Sequence, residues 1–179
     1  MNSHLAPGFV GGERNGNKTI MGMHTDWFIA NESDASAIAK SKNPWKRWPS
    51  LTLKGILEIE LASLYGFLLG KRKFDADLST TGEQLYYDGA DYDEEGNPIG
   101  SSGSGTIIVH RVATDLIKRL AKLGADDEIK IAAKWAEIEE FADWSKAEKK
   151  QISAILKQMI EFAQSAIKAK KPVLELAVF

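Results

Sequence analysis

The sequence predicts an α+β fold, a small mixed sheet packed against several helices. Three observations carry this. From Ser145 onward, Ile152, Ile155, Leu156, Met159, Ala163, Ala166 and Ile167 recur at three- and four-residue spacing, the mark of a long C-terminal helix. Pro172 stops that helix, and Val173 to Phe179 follows at once as a nearly all-apolar run, the composition of a C-terminal strand buried on both faces. Ile56 to Leu69 is apolar around most of its circumference, which predicts a central helix. A strand that ends the chain needs neighbours, so the preceding residues must supply a sheet.

Residues 1–20 are rich in glycine and asparagine and lack an uninterrupted apolar run, so they predict a flexible tail upstream of a start at Met21 or Met23. Residues 21–179 then form a single domain. His24 to Ala30 predicts the first strand, with Trp27 and Phe28 as β-favouring residues. Asn31, with Asp34 three residues on, caps a short alanine-rich helix from Ser33 to about Ser41. Lys42 to Ser50 is a proline-broken loop. The run 56–69 ends at Gly70; a pair of short buried strands is its competing reading, and its length favours helix.

From Phe74 to Gly105 every charged residue is acidic. Glu83 to Tyr87 predicts a strand, Gly96-Asn97-Pro98 a turn and Gly100 to Gly105 a flexible linker. Thr106 to His110 is a short β-branched strand and Val112 to Leu123 a helix closed by Gly124. A further helix begins near Asp126 with Ile131, Trp135, Ile138 and Ala142 as its stripe. Ser145 and Glu148 form the capping box that opens the last helix.

Composition narrows function mainly by exclusion. A net charge of −2 gives no drive toward nucleic acid or an anionic membrane. The longest apolar run, Leu61 to Leu69, is too short to span a bilayer. With no cysteine there are no disulfides, thiolate metal sites or cysteine nucleophile. The expected setting is cytoplasmic, with no cofactor and no metal.

The layout resembles the YfbM-like family of small bacterial proteins of unknown function. Met21-Gly22-Met23 before a strand, Leu68-Leu69-Gly70 after an apolar helix, the strand-then-helix of Thr106 to Leu123, and Lys171-Pro172-Val173-Leu174 carry the resemblance. It implies the same fold class and no active site. The acidic region and the tryptophan loop have no counterpart in it.

Five groups of residues are candidates for chemistry. Trp45, Lys46, Arg47 and Trp48 set aromatics beside cations, which suits a protein hot spot or base stacking; the plainer reading is that the tryptophans plug the core edge. Without a wider basic surface, nucleic acid is the weaker partner. His110 could act as an acid or base with Glu58 or Glu60, although two acids in a first helical turn also suit the helix dipole. His24 and His110 could meet if their strands were adjacent. The loop Asp88 to Glu95 places Asp91, Asp93 and Glu95 as in a calcium loop, but Ser102 stands where the bidentate glutamate belongs, so no tight calcium site is expected. Glu137, Glu139, Glu140 and Asp143 read as an exposed face paired with lysines such as Lys134 and Lys146. No helix carries a histidine for Glu-x-x-His or His-Glu-x-x-His metal sites, and no phosphate loop or nucleophile elbow is present. The expected function is a non-enzymatic protein-binding or regulatory module. The alternative is a small enzyme that uses His110 with a nearby carboxylate.

Overall fold

The computed structural model describes residues 24–71, 78–89, 91–92, 98–99 and 106–178. The expected tail, the glycine-serine linker and half of the acidic loop Asp88 to Glu95 lie outside the described residues. The chain runs β1 (His24–Ile29), α1 (Ala35–Lys40), β2 (Ser50–Lys54), α2 (Glu58–Leu68), β3 (Thr81–Asp88), β4 (Asp91–Tyr92), β5 (Pro98–Ile99), β6 (Ile107–Val112), α3 (Thr114–Ala121), α4 (Ala125–Trp135), α5 (Lys146–Lys149), α6 (Gln151–Ala169) and β7 (Val173–Val178). The α+β class and the long closing helix are as the sequence predicts. No helix among the described residues is long and apolar enough to cross a membrane.

Five strands form one sheet in the order β2-β1-β7-β6-β3, with β4 and β5 as a separate pair. Each pairing in the five-stranded sheet is antiparallel, so it is not the mixed sheet expected. The terminal strand sits at its centre, paired with β1 on one side and β6 on the other. Both faces of β7 are covered near its start, as its apolar composition requires.

The two faces carry unequal cores. Trp27, Ile29, Leu53, Val112 and Val173 join the larger core with Leu61, Leu64, Leu116, Leu120, Trp135, Ile152, Leu156 and Met159 from the helices. Phe28, Ala30, Val109 and Leu174 form a smaller cluster with Ala35, Ile38 and Trp48. The more uniformly apolar set of β7, Leu174 with the half-buried Leu176, therefore meets the small layer. Its other face, with Val173 and Glu175, turns toward the large helical layer. This reverses the assignment that apolar count alone favours.

Local chemistry explains the element ends. The amide of Asn31 donates to Asp34 Oδ2 at 3.0 Å, the capping half that this aspartate can reach. Ser145 and Glu148 complete a reciprocal box, with Ser145 N to Glu148 Oε2 at 2.7 Å and Glu148 N to Ser145 Oγ at 3.2 Å. α5 and α6 follow that box almost continuously, Lys150 between them staying helical. Lys170 ends α6 in the left-handed region at φ 53°, just before Pro172. Ile167, expected on the apolar face, is exposed.

Gly55 takes φ +69° between β2 and α2, and a Cβ there would sit 3.0 Å from the Trp144 ring, so only glycine suits this turn. α2 is one helix, not two strands, and Gly70 at φ +76° ends it. Tyr65 ties it to α3 by donating to Asp115 Oδ2 at 3.0 Å. Arg119 Nε meets the same oxygen at 2.6 Å and its other arm reaches the Leu68 carbonyl at 3.2 Å. The hydrogen bonds from Arg119 and then Tyr65 hold the Asp115 carboxyl below the usual range.

Two elements depart from expectation. β2 occupies residues assigned to the proline-broken loop and to the spacer before α2. α4 stops at Trp135, and Ile138 takes an extended conformation (φ −69°, ψ 156°) before a short 3-10 turn at Glu139–Phe141. Phe141 enters the core there while Ala142, expected on the stripe, is exposed.

Candidate functional site

The tryptophan loop is built by its own prolines. Pro44 starts a 3-10 turn over Pro44–Lys46, where a missing amide is harmless. The Pro44 carbonyl accepts from the amides of Arg47 at 3.0 Å and Trp48 at 3.1 Å. Pro49 hands the chain to β2 by accepting from the Ile29 amide at 2.9 Å. Pro44 is buried, and Trp48 at 8% exposure belongs to the smaller core, so this tryptophan is a plug. The Arg47 guanidinium lies 4.7 Å from the centre of the Trp48 ring. Trp45 remains 47% exposed beside Lys46 and Arg47, both exposed. From residue 35 to 57 the only charged residues are Lys40, Lys42, Lys46, Arg47 and Lys54. Of the four predicted binding residues, three therefore stand at the surface and Trp48 does not.

A second arrangement crosses the sheet. Leu51, Trp27, Glu175, His110 and Gln84 pair in succession across all five strands. Cross-strand partners project to one face, so these residues form a row. It opens from the core outward: Trp27 is fully buried, Glu175 is 8% exposed, His110 is half-buried and Gln84 is exposed. Trp27 Nε1 donates to Glu175 Oε2 at 3.1 Å. Burial pushes the Glu175 carboxyl up to about 7; the Trp27 hydrogen bond opposes this, and the charge of Glu58 adds to it. No cation pairs with Glu175 among the described residues.

The row sorts the predicted acid-base residues. His110 is the cross-strand partner of Glu175, and Glu58, exposed in the first turn of α2, is close enough to act on it electrostatically. Glu60 is buried, and its Oε2 accepts the Leu57 amide at 2.8 Å, so it caps α2 and is not part of the row. β7 separates β1 from β6, so the strands of His24 and His110 are not adjacent. Sequence reading missed Glu175 as a site residue. Its only signal was a lone acid in an apolar strand, because the Trp27 that receives it lies 148 positions away. Among the described residues no three histidine, aspartate or glutamate side chains gather to hold a metal ion.

The Trp45 loop and the Glu175–His110 row are two surfaces of the fold suited to recognition or chemistry. No family model, curated protein or solved structure matches the chain.

Proposed function

We propose that this chain is a small cytoplasmic, bacterial-type binding module that acts through a protein partner, taking an acidic segment of it at Trp45, Lys46 and Arg47. The supporting observation is Trp45 itself, a large aromatic kept half in water on a turn anchored by buried Pro44 and Trp48. Tryptophan and arginine are enriched in binding hot spots, and an anchored turn loses little freedom on binding. The uninterrupted positive charge from residue 35 to 57 favours an acidic partner. Membership of the YfbM-like family belongs to this proposal and adds no activity to it.

Fluorescence anisotropy with a panel of acidic and basic peptides tests the surface. Trp45→Ala is expected to weaken the best acidic peptide about 30-fold, the effect of a hot-spot loss near 2 kcal/mol. Its melting should shift little, since substitutions at exposed positions stay within about 0.5 kcal/mol. Equal affinity of wild type and Trp45→Ala for every acidic peptide would sink the proposal.

The cross-strand pair His110–Glu175 favours a second reading, a small enzyme in which these two groups share acid-base work with Glu58 nearby. Under it, compounds found by thermal shift should stabilise wild type and not His110→Ala. A screen in which no compound separates the two proteins ends this reading.

A further inference from the structure

A cleft of about 1140 Å³ opens between the C-terminal half of α2 and the end of α4, and neither surface described above includes it. Ser63 and Phe67 line it from α2, Lys134 from α4, and Glu137, Ile138 and Glu140 from the segment that follows. Its volume is of the order that takes a small molecule. Ser63 is 2% exposed, and its hydroxyl has no hydrogen-bond partner among the described residues. A buried hydroxyl without a partner is unfavourable, and a ligand polar atom at that wall would relieve it.

The charge of the opening selects the ligand. Glu137, Glu139 and Glu140 border it, and none forms an ion pair among the described residues, although the sequence suggests pairing with Lys134. Lys71 and Lys134 also border it, so among the described residues three carboxylates stand against two amines and the rim they form is negative. α2 and α4 both bring their C-terminal turns to the cleft, the negative ends of their dipoles. Phe67, Ile138 and Ala133 supply an apolar wall.

We propose that this cleft binds a small organic ammonium compound with an apolar body. The ammonium group meets Glu137 and Glu140, the hydrocarbon lies on Phe67 and Ile138, and a polar atom at the far end hydrogen-bonds to Ser63. Tyramine has this layout. Phenethylamine lacks the far hydroxyl, and 4-hydroxyphenylacetate replaces the ammonium with a carboxylate.

Titration of the full chain with each compound, followed by amide NMR shifts, tests the assignment. Tyramine should give saturable shifts at Ser63, Phe67 and Ile138. Glu137→Gln should weaken it about tenfold, the scale of a lost charge-assisted hydrogen bond. Ser63→Ala should weaken tyramine and leave phenethylamine unchanged. The proposal fails if 4-hydroxyphenylacetate binds as tightly as tyramine, or if no saturable shift appears at those residues up to roughly 10 mM, below the range of specific small-ligand affinity. It fails equally if Ser63→Ala weakens both amines alike.

Discussion

Trp135→Ala is expected to destabilise the protein by about 3–5 kcal/mol, a large part of the roughly 5–15 kcal/mol that holds a domain folded. Trp135 is fully buried at the end of α4, where the chain leaves the helix and turns back toward the core. Its ring meets Phe141 edge-on, with centroids 5.8 Å apart and planes at 64°, and Phe141 packs in turn on Trp144 at 4.5 Å. Trp135 Nε1 donates to the Glu60 carbonyl at 2.9 Å, joining α4 to the first turn of α2. Truncation removes the apolar area, an aromatic pair of about 0.5–1.5 kcal/mol and a buried hydrogen bond near 1 kcal/mol together. Trp135→Phe keeps most of the ring and loses the N–H, so it should fall well between wild type and alanine. Urea melts with unchanged m-values measure both, and Ile129→Ala, at a side chain 67% exposed, should stay near wild type. A cost below about 1 kcal/mol for Trp135→Ala would mean that this corner is not part of the cooperative core.

What was legible in the sequence is what depends on near neighbours along the chain. α6 shows in its periodicity, its start in Ser145 and Glu148, and its end in Pro172. Those features need only residues a few positions apart. β2 was hidden because Ser50 to Lys54 follows directly on a loop broken by two prolines, although Leu51 and Leu53 alternate with Thr52 and Lys54. The end of α4 was misread because Ile138 and Ala142 continue the helical spacing that the backbone abandons after Trp135.

The candidate sites were legible only as lists of residues. Trp45 and Trp48 share one composition, and only the position of α1 and β1 decides which becomes the plug. Glu58 and Glu60 are equivalent in the sequence; helix geometry hands the Leu57 amide to Glu60 and leaves Glu58 near Glu175. The facing of β7 was beyond local reading, since a glutamate can enter the larger core only with a donor such as Trp27 from the far end of the chain.

Glu175→Gln should therefore change stability in a way that depends on pH. In the fold the carboxyl titrates at about 7, against 4.5 for an unperturbed glutamate. Between those values the folded protein binds more protons than the unfolded chain, so stability falls as pH rises through that window. Below about 4.5 both states are protonated and the neutral group fits its buried place. Above about 7 the ionised group is buried with Trp27 Nε1 its only donor among the described residues, and the full penalty applies. At about 1.4 kcal/mol for each pH unit between the two values, that penalty is of order 3 kcal/mol. Glutamine keeps an acceptor for Trp27 and has no charge to bury. It should match wild type near pH 4.5 and exceed it by up to about 3 kcal/mol at pH 8. Two neighbours modulate the result. Glu58 repels the ionised form, so Glu58→Gln should shrink the gap, whereas a positive charge on His110 across the strand would favour ionisation. Chemical denaturation of wild type and Glu175→Gln from pH 4.5 to 8 measures the difference directly. A difference that is flat with pH, or a Glu175→Gln protein weaker than wild type at pH 8, would show that the carboxylate is solvated or paired and that burial does not raise its pKa.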